Sequence, residues 1–518
     1  MTRKIVIAGG GTAGWMAASY LRATLGEQVS VTVVESGAIS TIGVGEATFS
    51  TIRHFFTTIG LEEHEWMPEC HATYKLGIRF RNWRRPGHDF YHPFERPTTV
   101  AGHTLQEWWL RLRPSERFDR DCFALARLMD DKRSPHTLDG RLFDAEDTKK
   151  LPPGTRSSMA QEDTQYPYAY HFDASLLAAF LMRRATAGGV TRIVDTIQHV
   201  ERDATGITGL VTGEHGTVTG DLYIDCTGFR GLLINQAMEE PLVSFQEFLP
   251  NDRAVALRVP TDVEKNGIAP YTTATAMENG WMWTIPLFER LGMGYVYAGD
   301  YCTPEEAERE LREAAGPQAR DLEANHIRMR IGRSRRSWVG NCVAIGLASG
   351  FVEPLESTGI FFIQHGIEQL VRHFPDGPVD PVRAEHYNAV VGRAIDGICE
   401  FLAFHYYSAQ RTDNPYWKAT KERPLPGDLQ ERVRLWQTDL PDENSIYPHY
   451  HGFEPYSWST LLLGMGGVPA VQRPLVDMLD AGPAEREFAR IRESARKAAS
   501  ALPSQYEYFA SMRAGATG

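Results

Sequence analysis

A glycine-rich turn close to the start of the chain constrains the fold more than any other feature of the sequence. The apolar segment Ile5–Ala8 leads into Gly9-Gly10-Gly11-Thr12-Ala13-Gly14, and a helix-like segment follows. In this GxGxxG spacing Gly9 permits the tight turn, Gly11 lets the backbone approach a pyrophosphate, and Gly14 lets helix and strand pack closely. The turn, with Thr12 and Ala13 inside it, predicts a dinucleotide site at the N-terminus of a helix.

The next predicted strand supports a nucleotide site. Val31–Val34 is followed by Glu35, which lies 21 residues after Gly14. A carboxylate at this distance can bind the ribose hydroxyls of an adenosine. The fingerprint and the acid together leave both FAD and NAD open as the cofactor.

Two later segments favour FAD. After a predicted hairpin at 207–216, the strand Leu222–Asp225 leads into Cys226-Thr227-Gly228, and a further short apolar strand at 342–345 ends at Gly346. Three strand ends that converge on one cofactor, with long insertions between them, are similar to the flavoprotein monooxygenase superfamily. The predicted fold class is α/β, a Rossmann-like FAD-binding flavoprotein monooxygenase fold with a mainly helical substrate-binding region.

Length and helical spacing indicate the layout of the chain. A chain of 518 residues is long enough for two to four structural units. Apolar residues recur at helical spacing over 358–374 and over most of 380–410, and the C-terminal third reads as mainly helical. We expect a discontinuous FAD-binding module over 1–374, with inserted substrate-contacting segments around 85–165, and a mainly helical substrate-binding cap over 375–518.

Charge and cysteine usage exclude several classes of protein. The 54 basic and 66 acidic residues give a net charge of −12, which argues against a nucleic-acid-binding protein. The sequence has neither an apolar stretch of ~20 residues nor a signal-peptide pattern, so we expect a soluble, cytoplasmic protein without membrane contact. The six cysteines show no CxxC spacing, which argues against a disulfide framework and a structural zinc site.

Lys75 and Glu356 each have a structural interpretation when the residues around them are considered alone. Lys75 lies in a strand-like alternation with Arg79 and Arg81 on its face, and these residues alone indicate a solvated surface. Glu356 precedes Ser357-Thr358-Gly359 at the predicted start of a helix, where a hydroxyl can cap the helix and free amides can bind an anion.

The sequence also resembles one family along nearly its whole length. The segments that carry the resemblance are Gly9 to Met16, Gly43-Val44-Gly45-Glu46-Ala47-Thr48, Tyr74-Lys75-Leu76-Gly77, Trp281-Met282-Trp283-Thr284-Ile285-Pro286 and Glu353-Pro354-Leu355-Glu356-Ser357-Thr358-Gly359. Together they resemble the flavin-dependent tryptophan halogenases. The Trp-x-Trp-x-Ile-Pro segment distinguishes that family from ordinary flavin hydroxylases.

The resemblance implies roles for individual residues. Lys75 and Glu356 match the family's catalytic lysine and glutamate, and the amides of Thr358 and Gly359 match its halide site. Trp281 and Trp283, which share one face if their segment is a strand, match a barrier between flavin and substrate. The resemblance adds Ile42, Ala47 and Leu347 to the flavin contacts. It gives as substrate-binding candidates Phe49, His92, Phe94, Tyr447, Glu454, Tyr456 and Trp458, and it gives no metal site.

The resemblance also implies cofactors and partners. These are FADH2 from a separate NADH-dependent flavin reductase, O2, chloride or bromide, and free L-tryptophan, which hypohalous acid would halogenate under the guidance of Lys75 and Glu356. The similarity of the sequence to particular members of the family favours C6 as the halogenated indole carbon, with C5 next. A flavin-dependent aromatic hydroxylase and a non-catalytic FAD-binding redox protein remain alternatives. The oligomeric state stays open, with a homodimer as one candidate.

Overall fold

The described part of the chain contains two large sheets, several smaller sheets with helices around them, and a helical C-terminal region. The computed structural model describes residues 2–37, 45–138, 168–375, 377–446, 453–469 and 474–516. Ile42 and Tyr447, two of the predicted site residues, lie outside these ranges.

The first sheet carries the glycine-rich turn. Its strands are parallel except for the last and run in the order Thr191–Val194, Val29–Glu35, Arg3–Ala8, Leu222–Asp225, Cys342–Ala344 and Trp338–Val339. The four residues Ile5 to Ala8 are buried, as expected of a parallel strand covered on both faces. The helices Thr12–Leu25, Ala174–Ala187 and Gly359–Arg372 pack together beside this sheet. The three predicted strand ends therefore meet at one edge of the sheet, in agreement with the predicted α/β, Rossmann-like fold class.

The second sheet has seven strands. Their order is Asn325–Arg328, Arg253–Pro260, Arg290–Tyr297, Gly280–Pro286, Tyr271–Ala276, Gly77–Arg81 and Asp89–Pro93. Only the pair Tyr271–Ala276 and Gly77–Arg81 is parallel. Smaller sheets comprise Ile197–Asp203, Gly206–Thr212 and Thr217–Val218; Glu46–Ala47, Ala169–Phe172 and Thr73–Lys75; Leu242–Ser244, Gly332–Ser334 and Gly350–Phe351; and Thr99–Val100 with His103–Thr104.

The predicted continuous strand through Lys75 is wrong. Thr73–Lys75 pairs with Ala169–Phe172 in a small sheet, whereas Gly77–Arg81 belongs to the second sheet. The break falls at Leu76, whose amide donates to the Pro270 carbonyl and whose carbonyl accepts from the Phe94 amide. Lys75 is thereby separated from the arginines that follow it, and its side chain is fully buried rather than solvated.

The C-terminal region is helical, as predicted. Its described helices are Pro381–Ser408, Pro415–Glu422, Leu429–Leu435, Glu443–Ile446, Pro455–Gly464, Pro474–Met478, Gly482–Ala501 and Gln505–Ala516. The remaining α-helices are Ile52–Thr58, Glu63–Trp66, Leu105–Leu112, Phe118–Cys122, Leu125–Asp130, Val263–Asn266 and Pro304–Ala315. Among the described residues, no helix is long and apolar enough to cross a bilayer.

Buried side chains connect the α/β part of the chain with the helical part. A continuous cluster of apolar residues extends from Ile5 in the first sheet to Phe509 in the last helix. The 28-residue helix Pro381–Ser408 contacts both Gly359–Arg372 and Pro455–Gly464, so it lies between the two parts. All six cysteines are buried and free.

Candidate active site

A cavity of about 530 Å³ lies where the strands of the first sheet end. The predicted flavin residues that line it are Gly9, Gly11, Thr12, Ala13, Glu35, Ala47 and Leu347. Glu46, Trp281, Trp283, Glu356, Ser357 and Gly359 line it as well. The cavity therefore extends from the glycine-rich turn to the segment that contains Glu356.

The backbone around the glycine-rich turn suits a phosphate group. Gly9 has φ of +107°, and a Cβ there would lie 2.3 Å from the Cys226 carbonyl oxygen. A Cβ on Gly14 would lie 1.9 Å from the Gly9 oxygen, so helix and turn approach as closely as predicted. The helix Thr12–Leu25 has neither a side-chain cap nor an acidic residue in its first turn, so its amides are left for an anion. These features fit a dinucleotide such as FAD.

Glu35 stands at the end of its strand as predicted and is already oriented by neighbours. The Trp15 indole N–H donates to its Oε2 at 3.2 Å, and Arg192 pairs with its Oε1. Its carboxylate therefore has a fixed position at the cavity edge.

Trp281 and Trp283 lie on one face of the strand Gly280–Pro286, with ring centroids 6.3 Å apart. The indole N–H of Trp281 donates to Glu353 at 3.0 Å, whereas that of Trp283 has no partner. Both rings line the cavity, so they form part of its wall.

Lys75 does not line the cavity but contacts a residue that does. Its Nζ donates to Ser357 Oγ at 2.9 Å and to the Thr48 carbonyl at 3.1 Å, and Ser357 itself faces the cavity. Burial lowers the pKa of Lys75 to about 7, although the negative charge of Glu356 acts in the opposite direction. A substantial fraction of the lysine is therefore neutral near neutral pH.

Glu356 is held between two histidines. His92 Nδ1 lies 3.0 Å and His405 Nε2 also 3.0 Å from its Oε1. Burial alone would raise the pKa of Glu356, but the two histidines outweigh it and lower the pKa to about 2. Glu356 is thus a buried carboxylate whose orientation is fixed from two sides.

The backbone at Glu356 and Ser357 is left-handed, with φ of 65° and 63°. Such conformations are costly for residues with a Cβ, and they concentrate at functional sites. The expected capping of the next helix by Ser357 or Thr358 is wrong, because Ser357 Oγ instead accepts from Lys75 and Thr358 makes no capping bond. The buried Thr358 hydroxyl has no partner, and a Cβ on Gly359 would meet open space. This helix N-terminus therefore keeps free donors beside the cavity.

Two aromatic side chains that do not line the cavity lie near the Lys75 ammonium. It lies 5.1 Å from the ring centroid of Phe94 and 5.9 Å from that of Phe49. Phe49 contacts Phe361 and Phe453 edge to face, and Phe453 stacks on Phe401 at 3.9 Å. These rings are suited to hold a flat aromatic molecule against the lysine.

The other predicted substrate residues lie around this aromatic group. The Tyr456 hydroxyl donates to the Phe94 carbonyl at 3.2 Å, and Glu454 accepts two hydrogen bonds of 2.6 Å from Arg96. Trp458 is fully buried, and its ring packs on Phe401, Phe404 and Trp436. Trp458 therefore packs against Phe401 and supports the position of its ring.

Sequence reasoning missed Phe361, Phe401, His405 and Phe453. Phe401 and His405 were inside a predicted helix, and their spacing of four residues places them on one helix face. That spacing was the available signal, but the sequence does not show what the face packs against. Within the described ranges, no group of three or more His, Cys, Asp or Glu side chains is arranged to hold a metal ion.

Comparisons with known proteins agree with this geometry. The family model described as tryptophan halogenase matches residues 4–481. The chain is 57% identical to the tryptophan 6-halogenase SttH of Streptomyces toxytricini, with 98% of each chain covered. It is 56% identical to the 7-chloro-L-tryptophan 6-halogenase KtzR of Kutzneria sp., covering 98% of this chain and 99% of KtzR.

A solved structure is equally similar. Tar14, a tryptophan C-6 flavin-dependent halogenase (chlorinase) from taromycin biosynthesis, superimposes with a TM-score of 0.94 at 55% identity, covering 99% of this chain and 100% of Tar14. The resemblance seen in the sequence motifs thus extends over the whole chain and its fold. The chain belongs to the tryptophan halogenase family.

Proposed function

We propose that this protein halogenates C6 of the indole ring of free L-tryptophan, using FADH2, O2 and chloride or bromide. The observation that carries the proposal is Lys75, a fully buried lysine that bonds Ser357 at the edge of the cavity, with Glu356 in the same turn and the rings of Phe49 and Phe94 near its ammonium. The relatives SttH and Tar14, both described as acting at C6, support the position on the ring.

The cavity residues would hold FAD with its pyrophosphate at the N-terminus of Thr12–Leu25. When bound and reduced, the flavin supplies the activation of O2 that oxidises halide to hypohalous acid. The unpartnered Thr358 hydroxyl and the Gly359 amide would bind the halide at the next helix N-terminus. A separate NADH-dependent reductase would supply the FADH2.

Lys75 would receive the oxidised halogen after it passes Ser357. The ammonium can donate a hydrogen bond to hypohalous acid, and the neutral amine, available because the pKa is about 7, can accept the halogen as a haloamine. In both routes a ring carbon gains the halogen and loses a proton, and the oxygen leaves as water.

Glu356 would stabilise the cationic ring and take the departing proton. Its pKa of about 2 keeps it ionised, and the halogenated ring cation is acidic enough to give its proton to a weak base. Trp281 and Trp283 would keep the substrate out of the flavin cavity, and Phe49, His92 and Phe94 would hold the indole so that one carbon faces Lys75.

One of the relatives points to a second candidate substrate. KtzR, described as acting on 7-chloro-L-tryptophan, is as similar to this chain as SttH is, at 56% against 57% identity. The related candidate is therefore halogenation of tryptophan that already carries chlorine at C7.

One assay tests both candidates. The protein is incubated with FAD, a flavin reductase, NADH, NaCl and equal amounts of tryptophan and 7-chlorotryptophan, and products are identified by mass spectrometry and NMR. We expect 6-chlorotryptophan as the main product. Preferential formation of a dichlorinated product would select the second substrate, and an added oxygen without chlorine would replace the proposal with a hydroxylase.

A further inference from the structure

A second glutamate of the same segment is buried and accepts several hydrogen bonds. Glu353 is fully buried three residues before Glu356. Its carboxylate accepts from the Asn251 backbone amide at 3.2 Å, from Asn251 Nδ2 at 2.8 Å, from Trp281 Nε1 at 3.0 Å and from the Tyr406 hydroxyl. The donors come from three separate segments of the chain, one of which is the wall strand Gly280–Pro286.

These contacts need a carboxylate. Burial makes the carboxylate costly to desolvate and raises the pKa of Glu353, whereas the hydrogen bonds from Tyr406, Trp281 and Asn251 favour the anion. A glutamine would reduce that cost, but its amide has one acceptor oxygen and its NH2 group would face at least one of the four donors. The acceptor capacity of the anion therefore explains why a charged residue occupies this place.

Glu353 joins two features of the active site. It fixes the indole of Trp281, which lines the cavity, and it begins the segment that contains the left-handed residues Glu356 and Ser357. Left-handed residues with side chains persist only where the surroundings fix them. Lys75 contacts Ser357 and the two histidines contact Glu356, while the hydrogen bonds of Glu353 fix the start of the same segment.

We propose that Glu353 is a positioning residue that keeps Trp281 and the Glu356–Ser357 turn in place, so that the wall between the cavity and Lys75 stays closed. This inference rests on the proposed function, because it assumes that FAD occupies the cavity. If the wall loosens, oxidising equivalents escape as hydrogen peroxide instead of reaching Lys75.

The test compares Glu353→Gln, Trp281→Phe, their double variant and Tyr406→Phe. Tyr406→Phe is the matched control, because it removes one donor from Glu353 but leaves the Trp281 bond in place. Three quantities are measured for each variant: the dissociation constant of oxidised FAD by flavin fluorescence, the ratio of halogenated tryptophan to hydrogen peroxide, and thermal stability. The dissociation constant of FAD shows whether the wall is intact without requiring turnover.

We expect Glu353→Gln and Trp281→Phe each to weaken FAD binding and to lower the product-to-peroxide ratio by about tenfold. The double variant should be no worse than the more severe single one, because both changes break the same bond. Tyr406→Phe should lose a similar amount of stability while both other quantities stay within about twofold of the unaltered protein.

Two results would overturn the inference. One is that Tyr406→Phe changes FAD binding and the ratio as much as Glu353→Gln does, since that would show a general loss of packing. The other is that Glu353→Gln behaves like the unaltered protein. If the unaltered protein binds FAD but forms no halogenated product, the proposed function fails, and the FAD dissociation constants still decide the role of Glu353.

Discussion

At the scale of single residues, the burial of Lys75 links activity to stability. The pKa of this lysine is about 7 in the folded protein and 10.5 in its ordinary range. Between these values the unfolded chain binds a proton that the folded protein does not, so the free energy of unfolding rises with pH. Below pH 7 both states are protonated, and the full destabilisation from the buried ammonium is present.

The variant Lys75→Met tests this link. We expect it to raise the free energy of unfolding by about 1–3 kcal/mol at neutral or lower pH, because it replaces a buried charge with an apolar chain of similar length. The gain should shrink as pH rises towards 10.5, and halogenation should be abolished. Denaturant unfolding at several pH values measures this, with the exposed Lys497→Met as control. A loss of stability at every pH would contradict the prediction.

His405 is one of the two histidines, with His92, that lower the pKa of Glu356. Its Nδ1 lies 2.7 Å from the Phe401 carbonyl, which can only accept, so this nitrogen carries a proton. Its Nε2 faces the Glu356 carboxylate, and it donates there when the ring carries a proton on both nitrogens. The pair thus stabilises the ionised form of Glu356.

Replacing His405 by Phe should therefore raise the pKa of Glu356 from its value of about 2. We expect the acidic side of the pH–activity profile to move upward by about one unit, because Glu356 acts as a carboxylate. Product formation at saturating tryptophan over a range of pH values measures the change. The control His373→Phe removes a buried histidine that contacts Gln369 and His386 instead. An unchanged acidic limb would show that His405 does not act through Glu356.

At the scale of elements, the left-handed turn before Gly359–Arg372 determines where the catalytic groups point. Ser357 has φ of 63° and uses its hydroxyl to accept from Lys75. Ser357→Gly and Ser357→Ala both remove this hydroxyl, but only glycine adopts the conformation without a steric penalty.

We expect Ser357→Gly to be more stable than Ser357→Ala by about 1 kcal/mol, with halogenation reduced in both. Denaturant unfolding and product formation of the two variants measure this. Equal stability of the pair would mean that the turn stores no strain at Ser357, and normal activity of both would remove the Lys75–Ser357 contact from the mechanism.

The elements also show what the sequence could predict. The strand Arg3–Ala8, the fingerprint turn and the helix Gly359–Arg372 follow from local patterns, because apolar runs, glycine spacing and helical periodicity act over short distances. The break at Leu76 does not, since it depends on backbone hydrogen bonds with the distant Pro270 and Phe94. The burial of Lys75 could not be predicted for the same reason. It depends on residues distant in the sequence, and the residues next to Lys75 in the sequence did not indicate it.

At the scale of the whole molecule, the site is assembled from distant parts of the sequence. Lys75 reaches Ser357 beside Glu356 from the N-terminal part of the chain, and His405 reaches Glu356 because the long helix Pro381–Ser408 lies against Gly359–Arg372. The resemblance to a family indicated Lys75 and Glu356, whereas His405 and Phe401 required the packing itself. The division of the chain at residue 374 remains a prediction. The apolar cluster that the two parts share leads to an expectation about how they fold.

We expect the two parts to fold as one cooperative unit. The apolar cluster runs through both, and helix Pro381–Ser408 supplies His405 to Glu356 and Tyr406 to Glu353, so a chain ending at residue 374 would take one partner from each of the two buried carboxylates. Calorimetry of the full chain should show a single transition that FAD moves to higher temperature. A chain comprising residues 1–374 should be insoluble or lack cooperative unfolding by circular dichroism. If that fragment instead folds and binds FAD with unchanged affinity, the helical region is an independent cap, and the site residues that it supplies act only after it docks.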